Sequence, residues 1–368
     1  MKKNLHIGRL FNIDVELHYS WFFIFVLLGY ALSKDFYPFY YPGLRAAAYW
    51  TMGFVSSFLL FFSVLFHEFM HSLVAKNNDI PVDKITLFIF GGIAQIHEKH
   101  INPKKELKIA IAGPLASIFL ALLFVLIFRL SPYDYLVIVS SYLLRLNFIL
   151  AFFNMIPGFP LDGGRVFRAI VWGITKDLRK ATKMASVSGK TFGAFLAILG
   201  AAEIFLTGTF GGIWFILLGI FIFFLAEMSY EQMLLKDILE KITVNDVLNT
   251  TFVIEKPDMS LEEAINKYAK KDISAILVGR GEKIIGALDL SGPSNIPETS
   301  ISATKIGDVC NKNIFIARPE QKLFGIFTKM INKKLALIPV HKKNKLYAVV
   351  ERDYIIKYLK FKFKFSPE

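Results

Sequence analysis

The sequence predicts an α-helical polytopic membrane domain of about six transmembrane helices followed by a soluble α+β domain, and three observations carry that reading. Of 368 residues, 54% are hydrophobic and 20% charged, at a mean hydropathy of +0.47, which is too apolar for a single soluble domain. The apolar residues concentrate before about Tyr230, whereas the remainder alternates charge with short apolar runs. That remainder also repeats itself: an offset of 62 sets Asp246 on Asp308, Pro257 on Pro319, Leu261 on Leu323, Ile276 on Ile338 and Leu288 on Val350. The expected divisions are a membrane domain over 1–230 and two repeats over 240–301 and 302–368.

Crossing about 30 Å of hydrocarbon takes roughly 20 helical residues, and the candidate spans are 17–33, 49–75, 109–128, 135–157, 191–207 and 213–229. With the N-terminus inside, the inner loops carry Lys2, Lys3 and Arg9, then six lysines from Lys76 to Lys108, then seven basic residues from Arg165 to Lys190. The outer loops hold Lys34, Arg45 and Arg129. This asymmetry predicts a multi-pass protein of the cell membrane with both termini cytoplasmic. Trp21, Tyr49, Trp50, Tyr135 and Trp214 lie near span ends, as interfacial anchors do. Met1 to Glu16 is polar and the first apolar run leads into further spans, so no cleavable leader is expected.

The formal net charge of +13 falls mostly in the short inner loops, where it suits an anionic lipid surface. The bilayer is the partner this implies, and nucleic acid is not. Cys310 is the lone cysteine, which excludes an intrachain disulfide and a cysteine-held metal.

The second span contains Phe66-His67-Glu68-Phe69-Met70-His71. Residues four apart share a helical face, so His67 and His71 can offer imidazole nitrogens to one metal with Glu68 beside it as a base. Composition alone would generate such a motif roughly 0.01 times per chain, so chance is a poor explanation. Two histidines and a glutamate inside a bilayer helix are costly unless metal-bound, paired or near water.

Two histidines leave a zinc ion short of a protein ligand, and Asn154-Met-Ile-Pro-Gly-Phe-Pro-Leu-Asp162-Gly-Gly-Arg165 holds the best further donor. Pro157, Gly158 and Pro160 cannot continue the fourth helix, so the chain unwinds and presents Asp162 from irregular backbone; a plain helix-terminating turn is the alternative. The depths agree. His67 lies 18 residues past Tyr49, about 27 Å at 1.5 Å per residue and close to the cytoplasmic boundary, where Asp162 also arrives.

At these residues the sequence resembles the site-2 protease family of intramembrane zinc metalloproteases, a likeness covering about residues 1–230. The resemblance implies one zinc per chain held by His67, His71 and Asp162, Glu68 as the catalytic acid–base, and Asn154 in the active site. Gly91-Gly92-Ile-Ala-Gln95 is similar to the family's strand after the catalytic helix, which implies a role for Gly91 and Gly92 in binding unwound substrate; a re-entrant turn is the bland reading. Ala112-Gly113-Pro114 also resembles a family feature, although close helix packing explains Gly113 equally well. The implied activity is endoproteolysis of substrate transmembrane segments near the cytoplasmic face.

The repeated tail, in which each copy reads as a short helix, a strand, a longer helix (Leu261 to Lys270; Leu323 to Lys333) and two strands, resembles a pair of CBS domains. Such pairs commonly bind adenine nucleotides or dimerise, so a nucleotide and a second copy of the chain are the implied partners. Where the family usually has Thr and then Asp, this chain has Asp289 and Gly292 in one copy and Glu351 and Tyr354 in the other. An added carboxylate repels phosphate, so only weak nucleotide binding is expected. A CBS-gated membrane metal-ion transporter is the alternative function; Glu68 argues against it, because conduction needs polar residues at successive depths rather than a base. Arg145 and Glu203, within the fourth and fifth spans, either pair, line a cavity or snorkel.

Overall fold

The computed structural model describes residues 4–89, 91–96, 101–268, 271, 273–281, 283–290, 300–343 and 345–365, in two compact units, Met1–Glu231 and Gln232–Glu368. The first unit opens with strands β1 (Asn4–Leu10) and β2 (Ile13–His18), an antiparallel hairpin turned by Phe11 and Asn12 at φ 48° and 62°. Left-handed turn residues match the twist of a tight hairpin. This hairpin lies in the stretch that reads in sequence only as polar. Its signal is period-two burial, with Ile13, Val15 and Leu17 inside.

The chain then forms α1 (Tyr19–Ala31), a π-helical turn (Leu32–Phe36) and α2 (Tyr37–Tyr40), which together make the first span. Next come α3 (Ala46–Lys76), β3 (Val82–Phe88) and β4 (Gly91–Ile96). The four strands form one sheet in the order β1-β2-β3-β4, parallel between β2 and β3 and antiparallel elsewhere. Ile13, Val82 and Ile85 pack with Phe69 and Ala75 of α3, which seats the sheet beside the half of α3 that carries the histidines.

The remaining helices are α4 (Pro103–Leu130), α5 (Asp134–Asn154), α6 (Asp162–Thr175), α7 (Leu178–Thr207) and α8 (Gly212–Lys241), the last of which belongs to the first unit only as far as Glu231. Asn102 and Asp177 cap α4 and α7 by accepting from the backbone N–H of Lys105 and Lys180. Among the described residues six helical segments are long and apolar enough to cross a membrane: Tyr19–Tyr40, Ala46–Lys76, Pro103–Leu130, Asp134–Asn154, Leu178–Thr207 and Gly212–Lys241. The fifth starts well before residue 191 and the sixth runs past 229, because hydropathy registers only the apolar stretch of each helix. Lys180, Lys183 and Lys190 lie within α7 without ending it, Lys190 paired with Glu227 of α8. Phe58, Phe62, Phe119, Leu122 and Phe152 are exposed while Ser56, Ser57, Ser63 and Ser117 are buried. An apolar exterior around a small, polar-lined interior is what a lipid solvent selects.

At the end of the bundle opposite the histidines, Leu32, Tyr37, Met52, Leu120, Phe124 and Leu143 form a closed core. Tyr37 is fully buried and shares a hydrogen bond with Ser56, and the Tyr49 hydroxyl donates to the Tyr41 carbonyl at 2.7 Å.

The second unit follows the predicted repeat except that, among the described residues, the first strand expected in the second copy is reduced to a single parallel bridge between Ala317 and Val340. The first copy has β5 (Ile254–Glu255), α9 (Leu261–Tyr268), β6 (Ala275–Arg280) and β7 (Lys283–Asp289); the second has α10 (Ile306–Val309), α11 (Leu323–Asn332), β8 (Leu337–Lys342), β9 (Lys345–Glu351) and the terminal helix α12 (Arg352–Phe365). Asp289 and Glu351 end matching strands, opposite Ala275 and Leu337. Arg352 donates to Asp289 at 3.2 Å and Asn249 to Glu351 at 2.7 Å. Lys270 and Gly292 lie outside the described residues.

Glu16 of β2 accepts from Lys84 of β3 at 2.8 Å and from Asn4 at 2.7 Å. The Lys84 hydrogen bond, then that of Asn4, holds its carboxyl below the ordinary 4.5. A depressed carboxyl stabilises the fold above its ordinary pKa and loses that contribution as pH falls through the folded value. The melting temperature of Glu16→Gln should therefore lie below wild type at neutral pH, with the gap closing in acid; a gap independent of pH would refute the assignment.

Candidate functional site

Each imidazole on α3 is held from behind by α4. His71 Nδ1 donates to the Ile109 carbonyl at 2.6 Å, and His67 Nδ1 meets the Ser117 hydroxyl at 2.8 Å. A carbonyl only accepts, so His71 Nδ1 carries the hydrogen and Nε2 of the neutral ring keeps a lone pair. His67 Nε2 and His71 Nε2 then face each other at 3.2 Å, and Asp162 Oδ2 lies 3.1 Å from the first and 3.0 Å from the second. Both histidines are buried at 3% exposure, deep enough that unscreened lone pairs would repel.

This group is a possible metal-holding cluster of His67, His71 and Asp162. Tetrahedral zinc with nitrogen and oxygen ligands at about 2.0–2.2 Å sets those atoms roughly 3.3–3.6 Å apart, within a few tenths of an ångström of the contacts here. The donor set therefore fits zinc. Asp162 reaches it because Gly163 and Gly164 let the start of α6 fold back on the preceding turn; a Cβ on Gly163 would lie 2.3 Å from the Ile156 carbonyl oxygen, and one on Gly164 2.4 Å from the Gly158 carbonyl carbon. Asp162 is thus presented by the first turn of a new helix rather than by the irregular backbone expected from the sequence, and the segment is more than the helix-terminating turn that was the alternative.

Three further residues shape the site. A Cβ on Gly113 would come within 2.1 Å of His71 Nε2 and 2.5 Å of His67 Nε2, so the bare backbone of α4 is what leaves space beside these nitrogens. Packing alone, the bland account of Gly113 from sequence, misses this. Ile109, Gly113 and Ser117 follow one another at four-residue spacing and so share one face of α4; that periodicity was the available signal for Ser117.

Glu68 stands one residue from His67 but outside the cluster of His67, His71 and Asp162, and a Cβ on Gly92 would meet its Cγ at 2.5 Å. β4 therefore passes directly over the glutamate. Gly91 takes φ 127° with open space around its Cα, a conformation that side chains resist. Asn154, the last residue of α5, turns back on its own helix and donates to the Leu150 carbonyl at 3.0 Å. Arg145 is exposed, and the Glu203 carboxylate lies against Gly211.

Residues 55–137 and 133–200 match the model of peptidase family M50, and residues 244–291 match that of the CBS domain. The Synechocystis protein sll0528, classed by name as a zinc metalloprotease, is 30% identical over 366 residues, covering 98% of this chain and 96% of its own. The chain belongs to peptidase family M50, the site-2 proteases. Zinc metalloprotease MJ0392 of Methanocaldococcus jannaschii is 29% identical over 296 residues, 79% of each chain. The solved site-2 protease from that organism is 28% identical and covers 62% of this chain and 95% of its own, with a TM-score of 0.41. This M50 peptidase is accordingly a multi-pass membrane zinc metalloprotease carrying a CBS pair, and membership sets aside the transporter alternative.

Gly113→Ala should strip most of the zinc from the purified protein, whereas Gly173→Ala, whose new Cβ would have only Pro103 at 3.7 Å nearby, should keep it. Metal analysis by mass spectrometry reads both.

Proposed function

We propose that the chain is an intramembrane endopeptidase that holds one zinc ion and cuts transmembrane segments of membrane-protein substrates near the cytoplasmic face. The observation carrying this reading is the convergence of His67, His71 and Asp162 beside a carboxylate, Glu68, that lies under an edge strand. His67 Nε2, His71 Nε2 and Asp162 Oδ2 would hold the ion. Zinc bound there supplies Lewis acidity, acidifying a water and polarising the scissile carbonyl.

The protein's own groups do the rest. Glu68 takes the proton of the attacking water on a carboxylate oxygen and delivers it to the leaving nitrogen. Every amide of a transmembrane helix is bonded within that helix, so substrate must unwind before attack and needs replacement partners. β4 pairs with β3 along one edge, with Gly92 against the catalytic carboxylate, and an extended segment added to its other edge would regain those bonds beside Glu68. The basic inner loops support a cytoplasmic position for the cluster and for both termini.

The CBS pair acts as an accessory module, for regulation or pairing of copies, because every residue assigned to the chemistry lies in the first unit. Asp289 and Glu351, at the positions of interest for a nucleotide, are engaged by Arg352 and Asn249 within the same unit, which supports weak nucleotide binding.

Glu68→Gln should retain zinc, since the glutamate is outside the ligand set, yet abolish cleavage of a single-pass substrate followed by gel electrophoresis. Near wild-type cleavage by this variant would sink the proposal. Calorimetric titration of the full chain with ATP should give a dissociation constant weaker than micromolar, and a micromolar one would restore nucleotide sensing as the role of the tail.

A further inference from the structure

Glu106, in the first turn of α4, is a carboxylate at 1% exposure inside a bundle that buries few charges. Its partner is Arg168 of α6, whose Nε donates to Glu106 Oε1 at 2.6 Å and whose terminal nitrogen pairs with the same oxygen. The guanidinium also lies over the ring of Phe159, 5.1 Å from its centroid. Phe159 belongs to the turn that precedes Asp162, and its backbone N–H is tied to the Ala185 carbonyl of α7 at 3.1 Å.

These contacts converge on one ligand. Arg168 follows Asp162 by six residues on the same helix, about 9 Å along its axis. It grips α4 with its edge and the turn before Asp162 with its face. Glu106 in turn shares the face of α4 that presents Ile109, Gly113 and Ser117 to the histidines, the spacings being three, four and four residues. One helix face therefore sets both imidazoles and, through a single ion pair, the helix carrying the carboxylate. A buried ion pair gains little stability over apolar groups of the same shape, so fixing geometry is the better account of its presence.

We propose that Glu106 and Arg168 are positioning residues that set Asp162 against His67 and His71, so that zinc affinity depends on an ion pair that never touches the metal. The proposal rests on the metal-centre reading above. Removing one partner strands a buried charge and risks misfolding, so the deciding variant is the neutral double replacement Glu106→Gln with Arg168→Met.

Zinc affinity is measured on the full detergent-purified chain by competition with a chromogenic chelator, and Co2+ is loaded in place of zinc to give a visible spectrum of the ligand field. Wild type should bind one zinc, and Asp162→Ala should bind it far more weakly; if either fails, the metal-centre reading is at fault. With both controls in place, the double variant should melt as a folded protein, bind zinc about 10- to 100-fold more weakly and show an altered cobalt spectrum. Arg168→Lys, which keeps the charge but loses the fork, should fall between the two. A folded double variant with wild-type affinity and spectrum would overturn the proposal, and so would its failure to fold, which would assign the pair to stability alone.

Discussion

Two imidazole nitrogens and a carboxylate oxygen, all rich in electrons, stand within 3.2 Å of one another inside a helix bundle, and the rest of the membrane unit is arranged to keep them there. Left to themselves they would separate or take up protons. The Ile109 carbonyl holds the His71 ring in place by accepting its Nδ1 hydrogen, and the same helix steadies His67 through Ser117. Gly113 sits between these anchors and contributes nothing but room. α4 is in this sense the template of the site, although it supplies none of the three clustered side chains.

The span pattern and the meeting of His67, His71 and Asp162 were legible for different reasons. Hydropathy finds a helix wherever about 20 apolar residues run together, and the four-residue spacing of His67 and His71 is a geometric statement on any helix. Asp162 could be reached because two prolines forbid a continued helix. What followed was not legible: α6 has the composition of an amphipathic surface helix, and the turn before it reads as an end rather than a beginning. β1 and β2 were hidden likewise, since alternation with charged residues resembles a polar tail unless burial is known. Arg168 illustrates the limit best. In sequence it is one more basic residue marking the inner side of the membrane; in the fold it is mostly buried and locked to Glu106.

The repeated unit shows the converse. Its duplication makes the longer helix and the two strands after it legible in both copies from aligned positions alone, although the strand before that helix shrinks to one bridge at Ala317 in the second copy. The partners of Asp289 and Glu351, however, come from elsewhere in the unit, Arg352 and Asn249, and a self-alignment pairs like positions with like rather than a residue with the one it touches.

The closed core at the far end of the bundle has a consequence for the cell as well as for the fold. A hydrolase working within a bilayer has to admit water, and an aqueous channel through the membrane would let protons and ions run down their gradients. Leu32, Tyr37, Phe124 and Leu143 pack together at the end of the bundle away from the histidines, with the Tyr37 hydroxyl bonded to Ser56 and the Tyr49 hydroxyl to the Tyr41 carbonyl. Dense apolar packing of that kind opposes the passage of ions through the bundle.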